Sequence, residues 1–166
     1  GGGGKKIGHE RHFMTFLPKG GHGGPPYNDG MASPPETPWI NDILREGELY
    51  AVGGSVRDGL MGRPSADLDY LVSGIEPARL EALLAIRGKV HLVGKHFGIF
   101  VFKPTGSETH FDVALPRREK STGPGHKDFD VQVDAKLPVE DDLRRRDFTI
   151  NAMARKVRDG ALVDPW

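Results

Sequence analysis

The sequence predicts an α/β (α+β) fold in one domain, with a sheet of about five strands flanked by helices. Five short apolar runs typical of strands alternate with segments whose apolar residues recur at helical spacing. The chain has 166 residues, of which 37% are hydrophobic. That length and composition suffice for a single modest core.

The first segment differs in composition from the rest of the chain. Residues 1–38 contain 16 of the 36 glycines and prolines. A segment with so few apolar side chains cannot offset the entropy lost on ordering. We therefore expect residues 1–38 to form a disordered N-terminal tail and residues 39–166 to form the folded domain.

The first half of the domain predicts helix, strand, helix and strand in turn. Thr37-Pro38 supplies an N-cap and a proline in the first turn of a helix that ends near Gly47. The apolar run 49–52 predicts a strand, and Gly53-Gly54 after it opens a helical stretch. Residues 67–72 are the next predicted strand.

The second half begins with an amphipathic helix over 77–86, with a proline near its start and a glycine after its end. The remaining expectations are strands over 89–93, 99–102 and 110–114, a long loop over 116–138, two helices or one kinked helix over 139–154, and a weak hairpin around Asp159-Gly160.

Charge and cysteine content exclude several classes of protein. The 23 Lys and Arg residues balance 23 Asp and Glu residues, so any site for a polyanion must be local. The absence of cysteine excludes disulfides, thiolate zinc sites and a cysteine nucleophile. No run of about 18 apolar residues and no apolar signal segment is present, so we expect no membrane association and a cytoplasmic location.

Asp67 and Asp69 are the first candidates for chemistry. Side chains alternate along a strand, so both carboxylates would leave the same face. Two like charges held that close repel unless a cation lies between them, and Mg²⁺ prefers such oxygen-rich sites. The alternative is a solvated strand edge that carries two acids without a ligand.

Asp112 is a third candidate carboxylate. It lies in an alternating strand in which Phe111 and Val113 would face the core and Asp112 the opposite side. If an adjacent strand brings it beside the aspartate pair, three carboxylates would hold two metal ions about 4 Å apart, as in phosphoryl-type transfer. The alternative is a salt bridge from Asp112 to Arg117 or Arg118.

Gly53-Gly54-Ser55 links a strand to a helix, an arrangement that presents backbone N–H groups and a positive helix end to an anion such as phosphate. Arg57 would add a charged fork to the same anion. The alternative is a plain tight turn in which Arg57 pairs with Asp58. The segment matches neither a Walker A loop nor a dinucleotide fingerprint.

Residues 140–147 combine three acids with the run Arg144-Arg145-Arg146-Asp147. One interpretation is an exposed helix with ion pairs four residues apart. The small and apolar residues that follow favour another, in which Arg146, Asp147 and Asn151 lie at a core boundary and read a ligand. That interpretation requires burial of Phe148, Ile150, Ala152, Met153 and Ala154.

Taken in order, these motifs resemble the head domain of class II CCA-adding tRNA nucleotidyltransferases and bacterial poly(A) polymerases, within the DNA polymerase β-like superfamily. The matching residues are Gly53-Gly54-Ser55-Val56-Arg57-Asp58, Asp67-Leu68-Asp69, Asp112 and Arg145-Arg146-Asp147-Phe148-Thr149-Ile150-Asn151-Ala152. The resemblance covers about Leu49 to Trp166 and implies a nucleotidyltransferase fold with a mixed sheet.

The resemblance also implies roles for these residues. Asp67 and Asp69 would carry Mg²⁺, with Asp112 as the third catalytic acid. Gly53, Gly54 and Arg57 would hold the triphosphate, while Arg145, Arg146 and Asp147 would contact the nucleotide and favour ribose. The run from Asp112 to Ser121 resembles the flexible loop of bacterial CCA-adding enzymes, where the acid can be glutamate, so aspartate is a mild departure.

The activity implied is Mg²⁺-dependent transfer from CTP and ATP to the 3′ end of tRNA. Alternatives are a poly(A) polymerase and a non-catalytic nucleotide-binding fragment. Family members continue into a neck and a helical body, so we expect a truncated head that adds nucleotides poorly alone. Residues 140–144 carry the letters of the neck's Glu-Asp-x-x-Arg element but precede Arg145-Arg146-Asp147, so that role is not assigned to them.

Overall fold

The computed structural model describes residues 38–63, 65, 68–93, 98–121 and 129–166. The predicted disordered tail falls almost wholly on residues outside these ranges, and so does Asp67. Both expectations therefore stay predictions.

A seven-stranded mixed sheet forms the centre of the described fold, in the order β3-β4-β5-β2-β1-β8-β9. All neighbouring strands in it are antiparallel except β2 and β5, which are parallel. The strands are β1 (Glu48–Val52), β2 (Asp69–Ser73), β3 (Gly88–Val93), β4 (Ile99–Pro104), β5 (Phe111–Ala114), β6 (Arg117–Ser121), β7 (Phe129–Val133), β8 (Ala154–Lys156) and β9 (Leu162–Val163). The five predicted strands are present, and β8 and β9 extend the sheet beyond the expected five.

Helices cover both faces of this sheet. They are α1 (Pro38–Glu46), α2 (Gly54–Leu60), α3 (Pro77–Arg87) and α4 (Val139–Arg144). On one face α1 and α3 bury the larger core, in which Trp39 packs against Tyr70, Phe102 and Phe111 with ring centroids 5.4–5.5 Å apart. On the other face α4 buries a smaller cluster of Val52, Leu71, Val139, Leu143, Ala152 and Ala154. None of the described helices is long and apolar enough to cross a bilayer.

Strand β2 shows how alternation sets the direction of the functional side chains. Tyr70 and Val72 enter the larger core and Leu71 the smaller one. Burial raises the pKa of the Tyr70 phenol to about 12. Because neighbouring side chains on a strand leave opposite faces, Asp69 shares the face of Leu71, on the side of α4.

The predicted loop over 116–138 is wrong in part, because β6 and β7 pair there as a separate antiparallel hairpin with Arg117 opposite Val133. The segment is rich in charge, glycine and proline, which favoured a loop. A two-stranded ladder satisfies its backbone groups whatever the side chains are. Partly buried Val133 at its base packs against the larger core.

The predicted helix over 147–154 is also wrong. Helix α4 ends at Arg144, Thr149–Asn151 is a 3₁₀ turn, and Ala154 begins a strand that pairs with β1. Phe148 and Ile150, expected to be buried, are 67% and 54% exposed, whereas Ala152 and Ala154 are fully buried as expected. The apolar residues at positions 148, 150, 152 and 154 are two apart, a spacing that fits the alternation of a strand as well as a helix. The pairing of Ala154 with β1 decides for the strand.

The hairpin expected around Asp159-Gly160 is confirmed by the pairing of β8 with β9. Gly160 occupies a positive φ of 75° in its turn.

Two ion pairs join α1 to α3 on the surface. Arg87 Nε lies 2.6 Å from an Asp42 carboxylate oxygen, and Arg79 Nε lies 2.8 Å from one of Glu46. The hydrogen bond from Arg87 lowers the pKa of Asp42, and the hydrogen bond from Arg79 lowers that of Glu46. A carboxylate with a lowered pKa stabilises the fold fully at pH values above its usual pKa, and this stabilisation is lost as the pH falls through the lowered pKa of the folded state.

We therefore predict that the double variant D42N/E46Q has a thermal midpoint a few degrees lower at neutral pH. The difference from wild type should begin to shrink near the usual pKa values of 4.5 and 3.8 and disappear as the pH falls through the lowered pKa values of the folded state. Thermal unfolding followed by circular dichroism measures this. E108Q, which removes a carboxylate that is 97% exposed, is the control, and an equal drop in E108Q would contradict the assignment.

Candidate active site

Sheet topology brings three chain segments to one end of the sheet. Val52, the last residue of β1, pairs with Asp69, the first residue of β2. Asp69 in turn pairs with Asp112 of the parallel strand β5. The turn Gly53-Gly54 follows Val52 directly, so it lies beside the same end.

Asp69 and Asp112 are exposed and lie directly opposite each other. Neighbouring strands are about 4.8 Å apart, so the two carboxylates share one small volume. Alternation puts Leu71 and Ala114 on the same face, where the chain lines a cleft. The sequence left the position of Asp112 conditional on which strands are neighbours, and the pairing of β2 with β5 places it beside Asp69.

The donor chemistry of this pair suits a hard divalent cation. Mg²⁺ takes carboxylate oxygens from one or two side chains and completes its shell with water and phosphate oxygens. Within the described ranges, histidine and acidic side chains do not gather in a group of three that would hold a metal. The third predicted carboxylate, Asp67, lies outside those ranges, and Asp69 and Asp112 fit the smaller ligand set that Mg²⁺ accepts.

The cleft has a volume of about 500 Å³ and two chemically different walls. Asp69 and Asp112 supply the acidic wall from the strand ends. The segment after α4 supplies another part of the lining, which we term the basic wall and which includes Arg145, Arg146 and Asp147. Five of the predicted site residues therefore meet in one cleft, with opposite charges facing it.

Asp142 also lines the cleft, and its side chain is fully buried. One of its oxygens, Oδ1, accepts hydrogen bonds from Arg145 Nη2 at 2.8 Å, from Arg145 Nε at 3.1 Å and from the backbone N–H of Arg117 at 3.1 Å. Its Oδ2 lies 3.6 Å from Arg146 Nη2. The expected pair four residues apart exists, but the exposed helix face assumed for it is wrong at Asp142.

Gly53 lies next to Arg146, which lines the cleft. Its φ of 74° is unfavourable for residues with a side chain, and an added Cβ would stand 3.3 Å from Arg146 Nη1. Its N–H donates to the Met153 carbonyl at 3.1 Å. The expectation that this amide faces an incoming anion is therefore wrong, and Gly53 acts by letting the turn approach Arg146.

Arg57 lies beside the cleft and outside its lining. Its Nε donates to Asp58 at 2.9 Å, the pairing that the plain-turn alternative predicted. Its Nη1 donates to the Asn151 side chain at 2.7 Å, and Asn151 does line the cleft. An added Cβ on Gly54 would stand 3.5 Å from Arg57 Nη2, so the guanidinium covers the turn.

Asp142 was not among the candidate site residues of the sequence, and the contact of Asn151 with Arg57 was not predicted. Asp142 looked like one of three exposed acids, and only its place in the three-residue acidic run marked it. Asn151 was expected at a core boundary, and its contact with Arg57 spans 94 positions of chain. Such a contact has no local signal in the sequence.

Comparison with known families identifies the domain. A family described as the poly(A) polymerase head domain matches residues 49–166, more than two thirds of the chain. The chain belongs to the poly(A) polymerase head-domain family. This confirms the family resemblance drawn from the motifs.

Curated relatives of this poly(A) polymerase head domain bear the name multifunctional CCA protein. The one from Xylella fastidiosa strain M23 is 43% identical over 117 residues, which cover 70% of this chain and 26% of the relative. The chain thus spans about a quarter of the relative that it matches.

Solved structures confirm the fold of the head domain. The Bacillus stearothermophilus CCA-adding enzyme in complex with CTP aligns with a TM-score of 0.58 and 30% identity, over 78% of this chain and 29% of that one. A tRNA nucleotidyltransferase complexed with a primer tRNA and an incoming ATP analogue aligns with a TM-score of 0.56 and 35% identity, over 75% and 34%. The nucleotidyltransferase fold is therefore shown, with seven strands in its sheet.

We predict that G53A is more destabilising than G62A. Both glycines have a positive φ, but only at Gly53 does an added Cβ meet a neighbour, Arg146. Backbone strain of this kind costs about 1–3 kcal/mol, and displacement of Arg146 adds to it. Urea unfolding measures the difference, and equal losses in the two variants would show that contact with Arg146 is unimportant.

Proposed function

We propose that this domain catalyses Mg²⁺-dependent transfer of nucleotides from CTP and ATP to the 3′ end of tRNA in the cytoplasm, as the head of a CCA-adding enzyme. The observation that carries the proposal is the pair Asp69 and Asp112, which lie opposite each other on parallel strands and line the same cleft as Arg145, Arg146 and Asp147. Carboxylates for a cation and arginines for a polyanion in one cleft suit a metal-bound nucleoside triphosphate.

The names of the relatives support the same substrates. The curated relative is a multifunctional CCA protein, and the two aligned structures hold CTP in one case and tRNA with an ATP analogue in the other. We extend these ligands to this chain because the residues that face its cleft belong to the matched region 49–166.

In the proposed reaction the 3′ hydroxyl oxygen of the RNA attacks the α-phosphorus of the nucleotide. The bond to the β-phosphate breaks, pyrophosphate leaves, and the hydroxyl proton passes to solvent. Bound at Asp69 and Asp112, and at Asp67 by resemblance, Mg²⁺ would lower the pKa of the hydroxyl and offset the charge of the triphosphate. No protein nucleophile is required, so most of the acceleration comes from positioning.

The basic wall would hold the nucleotide. Arg145 and Arg146 line the cleft and would form charge-assisted hydrogen bonds with the nucleotide, and the exposed Asp147 carboxylate would accept a hydrogen bond from a ribose hydroxyl. The first N–H groups of a helix have no acceptor within it, which leaves the Gly54 amide at the start of α2 to meet a phosphate oxygen. Arg57, held by Asn151, adds positive charge there.

We predict that D69A and D112A each lower nucleotide incorporation on the order of 100-fold or more, because each removes a carboxylate that holds the cation. The assay combines the chain, Mg²⁺, labelled CTP or ATP, and a tRNA transcript that lacks its 3′ CCA. E81Q removes an exposed carboxylate from α3, on the opposite face of the sheet, and is the control.

Product length distinguishes the proposal from its alternatives. Ordered addition of C, C and A supports tRNA end synthesis, whereas a long A-only tail would indicate a poly(A) polymerase. Near-normal incorporation by D69A would overturn the role of the carboxylate pair. Binding of Mg²⁺-CTP without incorporation, measured by calorimetry, would indicate a nucleotide-binding fragment.

A further inference from the structure

We propose that Asp142 is a positioning residue that holds the Arg145 and Arg146 guanidiniums at the cleft wall and ties that wall to the β6–β7 hairpin. The inference rests on the proposed function, because it assigns Asp142 a role in preparing the cleft for a nucleotide. Asp142 lines the same cleft as Arg145 and Arg146 and is itself fully buried.

The hydrogen bonds to Asp142 are concentrated on one oxygen. Its Oδ1 receives both N–H bonds from Arg145, at 2.8 and 3.1 Å, together with the Arg117 backbone N–H at 3.1 Å. A fully buried carboxylate is stable only when cations and N–H donors compensate its charge. Arg145 and the first residue of β6 are therefore held in the positions that compensate the charge of Asp142.

The other oxygen of Asp142 faces Arg146 at a longer distance. Oδ2 is buried without a hydrogen-bond partner among the described residues, and Arg146 Nη2 lies 3.6 Å from it. Arg146 also has a buried Nε without such a partner. The Arg146 side chain is thus placed by charge and packing, between Asp142 on one side and the Gly53 turn on the other.

Preorganisation is the expected benefit for ligand binding. The side chains of Arg145 and Arg146 are only 22% and 25% exposed. An arginine already fixed in its bound rotamer loses less entropy when a phosphate or ribose arrives. Arg145 and Arg146 together carry one more positive charge than the Asp142 carboxylate removes, so Asp142 does not neutralise both guanidiniums.

The bond to Arg117 extends this arrangement to the acidic wall. Arg117 is the first residue of β6, and only Leu115 and Pro116 separate it from the end of β5, the strand that carries Asp112. Asp142 thereby connects the basic wall to the segment that follows β5. A shift of the segment that carries Arg145 and Arg146 would therefore also displace the base of the β6–β7 hairpin.

The adjacent Asp141 provides a matched control within the same helix. It is 45% exposed and pairs with Arg144 at 3.1 Å, and neither residue lines the cleft. D141N and D142N therefore remove the same charge one position apart. In D142N, the new amide NH₂ replaces an oxygen that faces Arg146, so a donor meets a donor.

The first test measures side-chain order without any ligand. In the ¹⁵N-labelled wild-type chain, the Nε–H of Arg145 should show a heteronuclear NOE as high as that of ordered backbone amides. The Nε–H of Arg144 should show the reduced NOE of a mobile side chain. D142N should lower the heteronuclear NOE of the Arg145 Nε–H toward that of Arg144, and D141N should leave the Arg145 value unchanged. A mobile Arg145 in wild type would overturn the proposal, and this comparison stands even if D142N fails to fold.

The second test measures affinity for Mg²⁺-CTP by calorimetry. D142N should weaken binding on the order of tenfold, the size of one lost charge-assisted hydrogen bond, and D141N should bind as wild type does. Unchanged affinity in a folded D142N would overturn the positioning role. Wild-type chain that binds no nucleotide but keeps Arg145 ordered would instead overturn the proposed function, while the anchoring by Asp142 would be supported.

Discussion

The parallel pairing of β2 with β5 places Asp69 opposite Asp112, and every other part of the candidate site is arranged around that pair. Parallel neighbours need a long crossover, and here α3, β3 and β4 supply it. The same β2 pairs antiparallel with β1, whose end leads into the Gly53 turn. Strand β2 thus brings together two carboxylates and the Gly53 turn from three segments of the chain.

A second constraint comes from the buried charge of Asp142. Its carboxylate, carried by α4, lines the cleft and accepts hydrogen bonds from Arg145 and from the backbone of Arg117 in β6. Buried ionic groups of this kind are weak contributors to stability but strong determinants of geometry when every partner must be in place. The basic wall therefore has a defined shape before any ligand arrives.

Local pattern was sufficient for the elements that lead to the site. The five strand-like runs, the helix after Gly53 and the helix over 77–86 follow from periodicity and from glycine and proline punctuation. Local pattern was insufficient after Arg144, where apolar residues two apart fit a helix and a strand equally. It was also insufficient in the charged segment that forms β6 and β7. There the partner strand decides the structure, and a partner strand is not visible in a local window.

The sequence by itself determined the α/β class, the family and the identity of the polar residues at the cleft, because these depend on residue types and spacings along the chain. Tertiary structure alone decided that Asp112 faces Asp69, that Asp142 is buried, that Arg57 meets Asn151, and that Phe148 and Ile150 are exposed. These facts depend on which distant segments pair. Strand pairing and burial are properties of the whole chain, set by backbone hydrogen bonding and core packing together.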